Sequence, residues 1–109
     1  MQFFLRVMLA FALVVGGAIN PTFAGNGDPL FVNLTTDDAH RANMGISFGK
    51  NQLERGHPLT IFLNDKGVLI GSKENATKFA DHQKMLGELA SKGAVVLVCP
   101  MCMKHYGMK

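Results

Sequence analysis

Cysteine is scarce in this sequence, with two among 109 residues, Cys99 and Cys102, both near the C-terminus. That excludes the disulfide framework that staples many small exported domains. A bridge between neighbours so close in the chain would remove little entropy from the unfolded state. A basic run is missing as well. Lys and Arg number 11 against 8 Asp and Glu, yet they are scattered and not interleaved with aromatics, which argues against a nucleic-acid partner. There is no internal repeat and no low-complexity tract. The longest apolar run falls short of the roughly 20 residues that a bilayer-spanning helix needs. His40, His57 and His82 have no partner at ligand spacing, so no zinc-type set is assembled.

The apolar run that does exist lies at the start. Met1 to Arg6 carries one positive charge, Val7 to Ala18 is almost unbroken hydrocarbon, and Asn20-Pro21 interrupts it ahead of Thr22-Phe23-Ala24. This is the pattern of a secretory signal peptide over residues 1–24, cleaved after Ala24. It predicts a periplasmic or secreted protein with no stable membrane span after cleavage. Removal takes away Arg6 and no acid, so the net charge of +3 falls by one. The remainder, residues 25–109, is one domain near the lower size limit for a single stable core, which favours help from oligomerisation or from a further segment.

Within that domain, Leu30-Phe31-Val32-Asn33-Leu34 reads as a first, mostly apolar strand. Thr35-Thr36-Asp37-Asp38 is a cluster of N-cap residue types. It starts a helix whose stripe is Ala39, Ala42, Ile46, Gly49 and Leu53 and whose C-cap is Gly56. Leu59 to Leu63 is the second strand, followed by the turn residues Asn64-Asp65-Lys66-Gly67. Val68 to Ile70 suits a short extended piece and a helical start equally. A second helix is expected from Asn75 or Ala76 to Ser91, with Phe79, His82, Leu86 and Leu89 on one face and Lys92-Gly93 as its stop. Ala94 to Val98 is the third strand, and Met103 to Lys109 opens another helix.

Strands alternating with helices through short connections predict α/β class, a small parallel sheet covered by helices on both sides in a three-layer α/β/α arrangement. Reactive groups in such sheets gather beyond the carboxyl ends of the strands. The loops from Thr35 to Asp38, Asn64 to Gly67 and Cys99 to Cys102 are expected to meet there. Asn64 and Asp37 are thus candidates for orienting a reaction partner or a bound anion, although such residues more often cap helices and shape turns.

The chemistry is concentrated in Val98-Cys99-Pro100-Met101-Cys102. Pro100 disfavours helical geometry at Cys99 and suits the first helical position, which places Cys99 at the N-cap and Cys102 in the first turn. Free backbone N–H groups there stabilise a thiolate, and Lys104 and His105 add positive potential. The spacing by itself leaves a dithiol oxidoreductase, a persulfide carrier and a metal clip open.

Phe31-Val32-Asn33-Leu34-Thr35-Thr36-Asp37, the Gly56-His57 turn into Thr60-Ile61-Phe62-Leu63-Asn64, Gly67-Val68, and Val98-Cys99-Pro100-Met101-Cys102 with Gly107 together resemble the DsrE/DsrF-like sulfur-relay family. The sharpest feature is Cys-x-x-Cys with Gly107 five positions after Cys102. The resemblance implies a parallel-sheet domain that forms a trimer or hexamer, needs no organic cofactor and passes sulfane sulfur between a donor and an acceptor protein. It assigns the persulfide to Cys99, with Cys102 resolving or assisting. Two departures accompany it: the relatives compared work inside the cytoplasm, and the family pattern continues the last helix and adds a further strand beyond the position of Lys109.

Two rival chemistries use the same segment. Met101, Met103 and Met108 stand beside Cys99, Cys102 and His105, a soft donor set suited to copper(I). Cys99 and Cys102 also suit a dithiol-disulfide protein of an oxidising compartment, although the pair follows the last strand rather than the first.

Overall fold

The computed structural model describes residues 27–108. The signal-peptide expectation for residues 1–24 lies outside them. No described helix is long and apolar enough to cross a membrane.

Three strands form one parallel sheet in the order β1 (Leu30–Leu34), β2 (Leu59–Leu63), β3 (Val95–Val98). Leu30 pairs with Leu59 at one end and Leu63 with Val98 at the other. Helix α1 (Ala39–Glu54) crosses from β1 to β2, and α2 (Ala80–Ser91) leads into β3. A six-residue helix, α3 (Pro100–His105), follows β3.

Local chemistry accounts for the helix boundaries. The Asp38 carboxylate accepts the Arg41 N–H at 2.9 Å and caps α1. All three helices end alike. Gly56, Gly93 and Gly107 take φ of 94°, 99° and 65°, and the residue after each glycine donates its N–H back into the last turn, as His57 does to Gln52 at 3.0 Å and Met108 to Met103 at 2.9 Å. A left-handed residue at that position closes the helix, and only glycine adopts it without steric cost.

The segment after β2 departs from expectation. Asp65–Gly71 and Lys73–Asn75 form 3₁₀ turns, and α2 begins at Ala80 rather than at Asn75 or Ala76. The tight turns bury Val68 and Ile70 against the core. Gly67 lies so close to β1 that a Cβ there would overlap the Leu34 carbonyl, so at this position the close approach itself requires glycine.

The core is one cluster. Alternate strand residues (Leu34, Leu59, Ile61, Leu63) pack against Ala42 and Ile46 of α1 and Leu86 and Leu89 of α2, with Ile70 and Phe79 filling the end. The α/β class and the small parallel sheet agree with the sequence. The expected helical cover on both faces does not form among the described residues. Because the strands are added in chain order in one direction, crossovers of one hand carry α1 and α2 to the same face, where they touch each other. The opposite face presents Phe31, Val95 and Leu97, which are 58%, 48% and 46% exposed, with Phe31 and Phe62 in tilted ring contact at 6.1 Å.

Candidate thiol site

The carboxyl ends of β2 and β3 build the site. Cys99 donates its N–H to the Leu63 carbonyl at 3.0 Å, continuing the ladder one step past β3. Its backbone then leaves the strand at φ −73° and ψ 112° as the N-cap of α3, with Pro100 at the first helical position. This is the geometry expected from Pro100, which restricts the residue before it and needs no N–H partner. Both thiols are free and half-buried.

Each sulfur has a backbone donor aimed at it. Cys99 Sγ accepts the Cys102 N–H at 3.4 Å, and Cys102 Sγ accepts the Asp65 N–H at 3.3 Å. Cys102 also donates its S–H to Asn64 Oδ1 at 3.1 Å, and the same oxygen accepts the Asp65 N–H at 3.0 Å. Tyr106 closes the arrangement from the end of α3 by donating its hydroxyl to Asp65 Oδ1 at 2.5 Å.

The two thiols differ electrostatically. Cys99 is held below the ordinary thiol value, first by a hydrogen bond from the Cys102 side chain and then by the Cys102 N–H, against an opposing effect of burial. Cys102 is pushed up, first by that same bond to Cys99 and then by burial, with the Asp65 N–H pulling the other way. The Cys102 thiol, whose S–H is given to Asn64 Oδ1, also favours the Cys99 anion. Of the two thiols, Cys99 is the one that ionises first. The charges of Lys104 and His105, in the last turn of α3, are not among the causes of the Cys99 shift, contrary to the role expected for them.

This asymmetry has a measurable consequence. In Cys102→Ala the thiol donor is lost, so the Cys99 pKa rises and less thiolate is present at neutral pH. Alkylation of Cys99 by iodoacetamide at pH 7 is expected to slow by about threefold, and the gap closes above about pH 9, where both proteins are ionised. Equal rates at pH 7 would show that Cys102 does not support the Cys99 anion.

Asn64 stands at the site as the sequence suggested, although its partner is Cys102 rather than Cys99. Asp37 acts on this end through its charge, which helps push Tyr106 up to about 12, after the larger effects of the Asp65 hydrogen bond and burial. Of the copper(I) set, Cys99 and Cys102 are joined through the Cys102 N–H that Cys99 Sγ accepts. Met101 is 81% exposed, Met103 and Met108 are half-buried, and His105 sets its ring edge-on to Tyr106. Among the described residues, no group of three or more His, Cys, Asp or Glu is placed to hold a metal ion. His57 and His82 are tied to the Asp28 and Ala39 carbonyls at 2.8 Å, a structural use of both rings.

Sequence reasoning passed over Asp65 and Tyr106 as site residues. Tyr106 is the single tyrosine and stands four residues after Cys102, on the same helical face, which is a usable signal. Asp65 carried none beyond its turn. Its φ of 46°, shared with no other non-glycine among the described residues, appears only in three dimensions.

Comparison with known proteins matches residues 30–109 to the model of the DsrE/DsrF-like family. The chain is also 34% identical over 70 residues to an uncharacterized protein of Methanocaldococcus jannaschii, a match covering 63% of this chain and 61% of that relative. No solved structure matches.

Proposed function

The chain belongs to the DsrE/DsrF-like family, and from that premise we propose that it carries sulfane sulfur as a persulfide on Cys99, with Cys102 as the auxiliary thiol. Membership in the family points to a sulfur-relay-type role. The observation that carries the finer proposal is the state of Cys99: a half-buried thiol at a helix start, beside the Cys102 side chain, whose sulfur accepts the Cys102 N–H and which is biased toward the anion. A thiolate is the form that attacks the outer sulfur of a donor persulfide. The donor persulfide loses its terminal sulfur to Cys99 and leaves as a thiol. A receiving thiolate then takes that sulfur from Cys99. Neither transfer needs an organic cofactor.

The test is mass spectrometry of the reduced protein after exposure to a persulfide donor. The expected product is Cys99 heavier by one sulfur atom. An accessible Cys99 that stays unmodified would end the proposal. A second use of the same pair, reversible disulfide formation, draws support from the Cys102 N–H that Cys99 Sγ accepts at 3.4 Å, which holds the two residues together. Titration in glutathione redox buffers tests it, because a dithiol that never closes has no such activity.

Self-association and export belong to the same proposal. A parallel sheet is ordinarily covered on both faces, whereas Phe31, Val95 and Leu97 leave one face apolar and open, a condition that copies of the chain relieve by assembling. The protein is expected to sediment as a trimer or hexamer after loss of residues 1–24. A stable monomer at micromolar concentration would refute the assembly, and retention of residues 1–24 on protein recovered outside the cytoplasm would refute the cleavage.

A further inference from the structure

The turn after β2 holds an oddity that the persulfide chemistry of Cys99 leaves unused. Asp65 is the one non-glycine with positive φ among the described residues, at 46°. It sits in direct contact with the second thiol. Left-handed backbone is uncommon for a residue with a side chain and persists where the surroundings enforce it. The enforcing contacts are visible. Asn64 Oδ1 takes the Asp65 N–H from one side at 3.0 Å, and Tyr106 anchors the carboxylate from α3 at 2.5 Å. The result is that the Asp65 N–H is shared between Asn64 Oδ1 at 3.0 Å and Cys102 Sγ at 3.3 Å.

We infer that Asp65, held by Tyr106, is a positioning residue that directs its N–H at Cys102 and so prepares this second thiol to attack a persulfide on Cys99. The inference rests on the persulfide proposal for the final step only. A neutral thiol has no need of a donor on its sulfur, whereas a thiolate is stabilised by one. Each cysteine is therefore supplied with a backbone N–H suited to its anion. In the step that follows, Cys102 first loses its proton to solvent. Its thiolate then attacks Cys99 Sγ, a bond forms between the two cysteine sulfurs, and the bond from Cys99 Sγ to the outer sulfur breaks. The outer sulfur leaves with that electron pair as hydrosulfide. The sulfane sulfur is reduced to sulfide, the two cysteines are oxidised to a disulfide, and an external thiol reductant reopens the pair. Asp65 thus decides whether bound sulfur is released as sulfide or waits for an acceptor.

The titratable groups facing Cys102 are Cys99 from the start of α3 and Asp65 from the turn, with Tyr106 and Asp37 acting through that carboxylate region. The experiment removes Cys99 by Cys99→Ser and follows alkylation of Cys102 by iodoacetamide against pH. In that background Tyr106→Phe frees the Asp65 carboxylate and lets the N–H turn away, both of which disfavour the Cys102 anion. The rate at pH 7 is expected to fall about fivefold, from a midpoint raised by somewhat under one pH unit. Asp65→Ala is expected to slow the reaction by less, because it releases the N–H but also removes the carboxylate charge that raises Cys102. Asp65→Asn is expected to react at least as fast as the parent, because asparagine tolerates left-handed backbone, its oxygen still accepts from Tyr106 and the carboxylate charge that raises Cys102 is gone. If Asp65→Ala and Asp65→Asn give the same profile, or if folded Tyr106→Phe matches its parent, the positioning role is overturned. No sulfur donor enters these measurements, so a failure to load Cys99 leaves their outcome untouched and is recognised separately.

Discussion

Cys99→Ser is expected to abolish sulfur loading from a persulfide donor, whereas Cys102→Ser still accepts one sulfur atom on Cys99. The difference follows from what each side chain touches. Cys99 leaves the sheet as the N-cap of α3 and its sulfur accepts the Cys102 N–H. Serine at 99 keeps a cap of good type, so the fold survives and the loss is chemical: an alcohol of high pKa does not form the nucleophile at neutral pH. Removal of a nucleophile ordinarily costs several orders of magnitude in rate, and the expected signal is absence of the heavier product at any donor concentration. In Cys102→Ser the hydroxyl still donates toward Cys99, and loading proceeds with the internal release of sulfide removed. Intact-mass measurement of both variants, followed by peptide mapping, checks the pair. Loading on Cys102 in the Cys99→Ser protein would exchange the roles of the two cysteines.

Gly67→Ala is expected to be the most damaging conservative substitution in the domain. The added methyl would overlap the Leu34 carbonyl, a backbone group that cannot rotate aside. The same carbonyl accepts the Asn64 N–H at 2.9 Å, and Gly67 itself donates to the Asn64 carbonyl at 2.8 Å. Relief of the overlap requires β1 and the turn to move apart, breaking contacts on which the placement of Asn64 and Asp65 depends. Overpacking in a core costs about 1–3 kcal/mol and occasionally more, and the upper end applies where the clash is with backbone. Urea denaturation of Gly67→Ala beside the parent measures it. A loss below about 0.5 kcal/mol, the size of an ordinary surface change, would show that the sheet and the turn adjust freely. The variant is also expected to widen the difference in alkylation rate between Cys99 and Cys102, because the Asp65 N–H, which pulls the second thiol toward its anion, would no longer reach that sulfur.

Much of the fold was legible because its signals are short-range. The Asp38 cap, Gly56 and Gly93 at the ends of α1 and α2, the apolar strands and the stripe through Ala42, Ile46 and Gly49 are each settled by residues within a few positions of one another. The Cys99-Pro100 junction belongs to the same class. What could not be read was longer in range. The stretch from Asp65 to Asn75 winds into 3₁₀ turns because it must bury Val68 and Ile70 while passing close to Leu34, a demand made by β1 and not by its own composition. Helical cover on both faces was expected from the alternation of strands and helices, which carries no information on strand order. That order alone sends α1 and α2 to one side.

The chemical site divides along the same line. Taken alone, the sequence determined that a thiol pair would stand where a strand turns into a helix, because Pro100 and the spacing of Cys99 and Cys102 act locally. Only the tertiary structure decided how the pair is polarised: the contacts of Asp65 with Cys102 and of Tyr106 with Asp65 span 37 and 41 residues of chain. A helix start can be specified by its nearest neighbours, but the place of a shared proton depends on which donors and acceptors the packed chain brings within hydrogen-bonding distance.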